Sequence, residues 1–367
     1  MYIRTLKLLN FKNYPELEAS FCSNVNCLVG NNGVGKTNLL DALYYLSFSK
    51  SYFNAIDKDN IRQGEDCFAI HGMYEGDVAV SCVVRRDQGK QLKYNGRVCK
   101  TFAEHVGKIP LVMVSPIDQM LITGGSDMRR KFMDGVISQT DKDYLQQLLR
   151  YQKALEQRNR LLKQMAEDHY VEEEMLEVWD EQLSLYGEYL KERRGTFLKD
   201  FTPLFSYYYN WIVNDGDVAG LTYETQLVAG EMKELMKQRR SDDLRNQYTT
   251  VGVHKDDLIM TIGNMPAKKY GSQGQQKTLA LALKLAQFEY IYAQCGMKPI
   301  LLLDDIFDKL DMNRVKQLVR LVGSERFGQV FLTDTQPGRV SGIFADIPQV
   351  EHRIYEVSAD HKLAMTV

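Results

Sequence analysis

The sequence has 367 residues, of which 44% are hydrophobic and 26% charged, and a formal net charge of −2. That length and apolar content build about two domains, or one domain with a large insertion. A charge so near zero excludes a protein whose bulk basicity alone would hold nucleic acid, so any such contact has to come from local basic patches.

The opening segment Met1-Tyr2-Ile3-Arg4-Thr5-Leu6 has no apolar stretch of the signal-peptide kind. No run in the sequence is long enough to cross a bilayer. A cytoplasmic protein with no membrane partner is expected. The cysteines, Cys22, Cys27, Cys67, Cys82, Cys99 and Cys295, form no Cys-x-x-Cys pair. They read as buried or idle thiols in a reducing compartment, with neither a zinc site nor a disulfide framework.

Ile3, Leu6, Leu8 and Phe11 suggest an early strand. Val25 to Val29 is a short apolar run entering a glycine-rich turn, and after it Leu39, Leu40, Ala42, Leu43 and Leu46 recur at helical spacing. The turn itself, Gly30-Asn31-Asn32-Gly33-Val34-Gly35-Lys36-Thr37, fits G-x-x-x-x-G-K-[ST] in the context that motif requires, a strand before and a helix after. Its glycines let the backbone curl until several N–H groups converge on phosphate oxygens. Lys36 adds a point charge at the β- and γ-phosphates, Thr37 a hydroxyl for Mg²⁺, and the helix turns its positive end toward the anion.

From Cys67 to Lys100 the signals are strands and hairpins, with Asn95-Gly96 as a two-residue turn. This stretch carries Arg85, Arg86, Lys90, Lys93, Arg97 and Lys100 against Asp87. From Ser138 to Tyr248 the sequence is polar and rich in helix formers. Leu148, Tyr151, Leu155, Leu162 and Met165 form one stripe with a polar break at Arg158. Leu176, Trp179, Leu183, Tyr186 and Leu190 form a second. The short polar joint Glu167-Asp168-His169-Tyr170 makes the two helices antiparallel neighbours. Neither stripe sustains the heptads of a long coiled coil. The expected division is residues 1–137 and 249–367 as two parts of one α/β head, with 138–248 an inserted helical arm.

Leu279, Leu283 and Ala286 mark a helix. Ile300 to Leu303 is an apolar strand that ends in Asp304-Asp305. A helix with Val315, Leu318 and Leu321 and a strand over Gln329 to Thr333 follow, which predicts a parallel βαβ unit. The acid-ended strand is expected beside the phosphate-loop strand. Asp304 would then hold Mg²⁺ directly or through water, and Asp305 would orient or deprotonate an attacking water. Taken alone, a buried strand with a solvated acidic turn reads equally well.

Gly271-Ser272-Gln273-Gly274-Gln275-Gln276, at the start of a helix, resembles the Ser-x-Gly-Gln signature of ABC ATPases. That resemblance implies that Ser272, Gln273, Gly274 and Gln275, with the helix N-terminus, cap the ATP held by the phosphate loop of a second copy. Asp308-Lys309-Leu310-Asp311 resembles the D-loop. Leu332-Thr333-Asp334-Thr335 stands where transporter-type members carry a switch histidine. The missing histidine, and Asp305 in place of the more usual glutamate, imply slow hydrolysis.

A wider set of segments is similar to the RecF family of bacterial recombination mediators, nearly end to end. They are Asn10-Phe11-Lys12-Asn13-Tyr14, Gly30 to Thr37, Ser115-Pro116-Ile117-Asp118, Arg129-Arg130-Lys131-Phe132-Met133-Asp134, His254-Lys255-Asp256-Asp257-Leu258, the signature and Leu303-Asp304-Asp305. Val253 departs from the family's usual proline and Lys309 from its glutamate. The resemblance implies an α/β ABC/SMC-type P-loop ATPase head with an inserted, mostly helical arm, and slow ATPase activity with Mg²⁺. It implies an ATP-dependent homodimer that binds DNA, double-stranded and gapped, without reading sequence. It also implies partnership with RecO and RecR, which help load RecA at gaps in recombinational repair and replication restart. By the same resemblance Lys12 reaches the γ-phosphate, and Asp118-Gln119 does the work of the Q-loop. Arg129-Arg130-Lys131, Arg193-Arg194 and Lys237 with Arg239 and Arg240 join the Arg85 to Lys100 stretch as candidate phosphate contacts.

Other readings stay open at this point. A transporter nucleotide-binding subunit conflicts with the long insertion and the missing histidine. A purely architectural SMC-like head needs arms this chain has no room for. A metabolic P-loop kinase leaves the signature a coincidence.

Overall fold

The computed structural model describes residues 1–168, 170, 172–213, 218–227, 231–306 and 312–366. The chain forms two compact units, one of residues 1–118 with 287–367 and the other of 119–286.

In the first unit, β1 (Ile3–Phe11) pairs antiparallel with β2 (Tyr14–Ser20) and buries Ile3, Leu6, Leu8 and Phe11. β3 (Val25–Val29) is buried along its whole length, as a central parallel strand must be. It leads through the glycine turn into α1 (Lys36–Phe48). β4 (Cys67–Tyr74), β5 (Ala79–Arg85), β6 (Gly89–Tyr94) and β7 (Arg97–Val98) extend the first pair into a six-stranded antiparallel sheet of order β2-β1-β4-β5-β6-β7. Asn95 and Gly96 link the last two strands with φ of 49° and 76°, the left-handed pair that a type I′ turn needs. Phe11, Tyr45 and Phe68 meet edge to face between this sheet and α1. β8 (Leu111–Val114) is fully buried.

The second unit begins with α2 (Met120–Thr123), α3 (Ser126–Thr140), α4 (Lys142–Asp168) and α5 (Glu173–Val213). β9 (Ala219–Glu224), α6 (Met232–Gln238), α7 (Arg240–Asn246), β10 (Asp257–Ile262), β11 (Met265–Pro266) and α8 (Ala267–Tyr270) follow. α9 (Gln273–Cys295) starts here and runs past the boundary at Ala286. The strands make a small antiparallel sheet of order β11-β10-β9. This unit is wider than the expected 138–248 segment because α3 packs on β10. Arg129 of α3 grips Asp257 through two hydrogen bonds of 2.6 and 2.8 Å.

The polar break in α4 has a structural cause. Arg158 is fully buried, 2.7 Å from Asp180 of α5 and 2.6 Å from Asp243 of α7, and donates to the Thr249 hydroxyl at 2.9 Å. Its partner Asp180 occupies a core position of α5. The buried stripe there is therefore Leu176, Asp180, Leu183, Gly187 and Leu190, and the expected Trp179 and Tyr186 are only half-buried. α5 also continues past Pro203 to bury Phe205, Tyr208, Tyr209 and Ile212, far beyond the stripe read from the sequence.

Back in the first unit, β12 (Ile300–Leu303), α10 (Met312–Val322), β13 (Val330–Asp334), α11 (Pro337–Ala345), β14 (His352–Val357) and β15 (Leu363–Met365) complete a second six-stranded sheet. Its order is β15-β14-β3-β13-β12-β8, parallel except for β15. The acid-ended strand therefore does not lie beside the phosphate-loop strand. The β12–α10–β13 crossover joins adjacent strands, which places β13 between them, bonded to β3 on one edge and β12 on the other.

No two of the six cysteines form a disulfide, and Cys22, Cys27 and Cys82 are buried. Among the described residues no helix is long and apolar enough to cross a membrane. The D-loop segment Asp308–Asp311 lies outside the described residues.

Candidate functional site

The turn between β3 and α1 folds as its glycines allow. Gly30 and Gly35 take φ of 146° and 111°. A Cβ on Gly30 would stand 2.5 Å from the Val357 carbonyl oxygen, and one on Gly35 would stand 2.6 Å from the Asn13 amide nitrogen. Both positions are closed to any side chain. Lys36 reaches back across the loop, its Nζ donating to the carbonyls of Gly30 at 2.6 Å and Asn31 at 2.8 Å. Burial pushes its pKa down, while Asp304, Asp305 and Asp334 pull the other way. A phosphate oxygen entering the loop would exchange two neutral acceptors for a charged one.

Opposite this lysine, Thr37 Oγ1 lies 3.0 and 3.1 Å from the two carboxylate oxygens of Asp304. Asp304 is buried, and desolvation raises its pKa, with neighbouring Asp305 adding to the rise. Hydrogen bonds from Thr333 and Thr37 oppose that shift. The intervening β13 supplies Thr333, whose hydroxyl donates to Asp304 Oδ1 at 2.9 Å and accepts the Asp305 backbone N–H, also at 2.9 Å. Asp305 sits in the left-handed region with φ of 50°. Sequence reading saw Thr333 only as the place of a missing histidine. Its role comes from the strand order.

These residues line a cleft of about 390 Å³, together with Asn32, Gly33, Phe53, Ser115, Ile117 and Thr335. The donor set fits a magnesium ion that keeps most of its ligands as water and phosphate, since Thr37 and Asp304 offer one hydroxyl and one carboxylate side by side. Among the described residues no group of three or more His, Cys, Asp or Glu forms an all-protein cage.

Lys12, expected at the γ-phosphate, is held elsewhere. Its Nζ is 2.6 Å from Asp41, a fully buried carboxylate that also accepts from the Ser51 hydroxyl and the Tyr52 N–H. It lies 5.4 Å from the ring of Phe53, a wall of the cleft. Asp118 is buried and accepts from the Tyr52 hydroxyl and the Ser115 N–H.

The signature residues belong to the second unit. Ser272, Gln273 and Gly274 are exposed where α9 begins. The Gln275 N–H donates to Ser272 Oγ at 3.2 Å, and Gln275 Oε1 accepts the Ser272 N–H at 2.9 Å. This reciprocal pair is a capping box, legible as Ser-x-x-Gln in the sequence yet not read there. Gln276 turns inward to the Ala267 carbonyl and lies 3.4 Å from the Gln119 amide.

The basic clusters divide between cations taken up inside the fold and others left at the surface, Lys131, Lys237 and Arg239 among the latter. Arg129 pairs with Asp257, and Arg130 donates to the Asp256 carbonyl. Arg194 is buried against Asp134 and Asp256, and Arg193 pairs with Asp141. Arg239 bridges to Asp242, and Arg240 to Glu173 and Asp180. In the β5–β7 hairpins Lys90 is taken up by Asp57, whereas Arg85, Arg97 and Lys100 are exposed.

Residues 2–343 match the model of the RecF/RecN/SMC N-terminal domain. The DNA replication and repair protein RecF of Phocaeicola vulgatus is 47% identical over 362 residues, 97% of this chain and 96% of that protein. The protein of the same name from Flavobacterium johnsoniae is 44% identical over 97% of this chain and 99% of its own. A solved structure described as the recombination mediator protein RecF-ATP in the RecFOR pathway superposes with a TM-score of 0.89 at 30% identity, covering all of this chain and 98% of that one. An Smc head bound to the C-terminal winged-helix domain of ScpA shares the fold at a TM-score of 0.58 and 16% identity. With the phosphate loop, the Thr37–Asp304 pair and the capped signature in place, and relatives of this similarity along nearly the whole chain, the protein belongs to the RecF family and has the ABC/SMC-type ATPase fold.

Proposed function

We propose that this chain is an ATP-gated DNA clamp of recombinational repair and replication restart, acting in the cytoplasm as a homodimer. The observation that carries the proposal is the pairing, in one RecF-family chain, of a complete Lys36–Thr37–Asp304 cleft with an exposed, pre-capped signature at α9. Bound Mg-ATP would supply the phosphoanhydride bond whose cleavage is spent on reopening the dimer. Lys36 releases the Gly30 and Asn31 carbonyls to meet phosphate oxygens. Thr37 and Asp304 would hold the magnesium ion. Thr333 fixes Asp304 and the Asp305 backbone together, so that the Asp305 carboxylate orients a water and takes its proton. Ser272, with the N–H groups opening α9, is offered to the nucleotide of the second copy. Lys12 completes the cleft wall once Asp41 yields it. RecO and RecR are the proposed protein partners, with loading of RecA as the outcome.

Replacing Ser272 by arginine should leave ATP binding intact and abolish ATP-driven dimerisation, while loss of the cap lowers stability by about 1 kcal/mol. Asp305→Asn should dimerise normally and hydrolyse far more slowly. Light scattering with Mg-ATP reads both, and a normal dimer from Ser272→Arg would remove the shared-site mechanism.

The test of the function itself is fluorescence anisotropy of a labelled gapped DNA with and without Mg-ATP. Binding is expected only with Mg-ATP. If Arg85, Arg97 and Lys100 of both copies contact phosphates, the log–log slope of affinity against salt should be about −5. Binding that ignores both nucleotide and salt would sink the proposal.

A further inference from the structure

The back of the phosphate loop is gripped by a part of the chain that no motif marks. β14 runs parallel to β3, pairing as far as Glu356 against Val29. Its next residue, Val357, places its carbonyl against Gly30 closely enough to exclude a Cβ there. The turn to β15 then returns His361 onto the loop, with its Nδ1 2.9 Å from the Val34 carbonyl oxygen. The His361 ring packs beside Tyr14, with centroids 5.7 Å apart. Tyr14 in turn donates its hydroxyl to the Gly35 carbonyl at 3.1 Å.

His361 has an unusual backbone, with φ of 62°. A histidine in the left-handed region costs of order 1 kcal/mol more than glycine would. The turn holds it there through Ser358, whose carbonyl accepts the His361 N–H at 3.0 Å and whose N–H donates to the Lys362 carbonyl, also at 3.0 Å. Strain kept in place by surrounding bonds, with the side chain delivered to a ligand loop, points to a role for that side chain.

The consequence follows from peptide geometry. The same Nδ1 lies 3.1 Å from the Asn13 amide nitrogen, which itself donates to the Val34 carbonyl at 3.4 Å. A carbonyl can only accept, so the ring fastens Val34 in the form that carries its proton on Nδ1. Among the described residues no peptide bond is cis, so each C=O points away from the N–H of the same peptide. Fastening the Val34 carbonyl from behind turns the Gly35 N–H to the opposite side, and Gly35 lines the cleft. Tyr14 does the same for the Lys36 N–H by holding the Gly35 carbonyl. We propose that His361 is a positioning residue for nucleotide binding, pre-aiming the Gly35 N–H at the phosphates from the C-terminal hairpin. This rests on the reading of the cleft as a nucleotide site.

The experiment compares His361→Gly, which keeps the left-handed backbone and removes the ring, with His361→Asn, which keeps both that backbone and a donor. ATP affinity is read by calorimetry, melting temperature without nucleotide reports the fold, and amide hydrogen exchange over residues 30–36 reports the loop. The glycine variant should bind ATP about tenfold more weakly, the net value of one hydrogen bond, and exchange its loop amides faster in the absence of nucleotide. The asparagine variant should recover most of both, at equal melting temperature. Parental affinity and exchange in the glycine variant would overturn the proposal. Should the parent protein fail to bind ATP, the nucleotide reading fails separately, and loop exchange unchanged by His361→Gly overturns the brace on its own.

Discussion

Arg158→Ala should lower the stability of the second unit by about 3–5 kcal/mol, the cost of removing one partner from a buried ionic cluster. The guanidinium is fully buried and answers two carboxylates that are themselves buried, Asp180 and Asp243. Asp180 retains Arg240 at 3.0 Å, and Asp243 retains the N–H and hydroxyl of Thr250. Neither arrangement replaces a full charge. Urea denaturation measures this. An apolar swap that removes Arg158, Asp180 and Asp243 together should lose much less. If Arg158→Ala alone were as stable as the parent, the cluster would not be what joins α4, α5 and α7.

Lys36→Ala should weaken ATP binding by at least a hundredfold, because charge-assisted hydrogen bonds to two phosphates are lost at about 1.5–3 kcal/mol each. The nucleotide-free protein should be no less stable for the change. Burial lowers the Lys36 pKa below its unfolded value. A lysine shifted in that direction opposes folding most fully below its folded pKa, and the penalty disappears only above its unfolded one. At neutral pH, deleting it removes a penalty while also removing the two carbonyl contacts. Calorimetry and thermal melting separate these effects. Parental ATP affinity in the variant would dismiss the cleft as a phosphate site.

What the sequence made legible was whatever sits in consecutive residues. The phosphate loop, the acid pair ending an apolar run and the Ser-Gln-Gly-Gln signature are each short and contiguous, so they can be picked out without the fold. Strand order is different. Nothing local tells that β13 separates β3 from β12, and so Thr333 was invisible as the link between Asp304 and Asp305. Charge was only half legible for the same reason. A run such as Arg129-Arg130-Lys131 shows its cations but not Asp257, which lies far along the chain and neutralises the first of them. The break at Arg158 in an apolar stripe looked like a flaw because its partners come from two other helices. His361 offered no signal at all, since a lone histidine in a polar turn is indistinguishable from a solvated one until the turn is laid against the loop.

The left-handed backbone at Asp305 bears on how this site could drift over generations. Asparagine, aspartate and glycine enter that basin most readily, and a longer unbranched side chain does so at a cost of about 1 kcal/mol. Lys12 and Gln247 of this chain hold the same left-handed backbone, with φ of 53° and 60°. Glutamate at position 305 is therefore disfavoured rather than barred, and its cost would fall on the peptide whose N–H Thr333 holds. Which acid stands beside Asp304 is weighted by chirality as well as by chemistry.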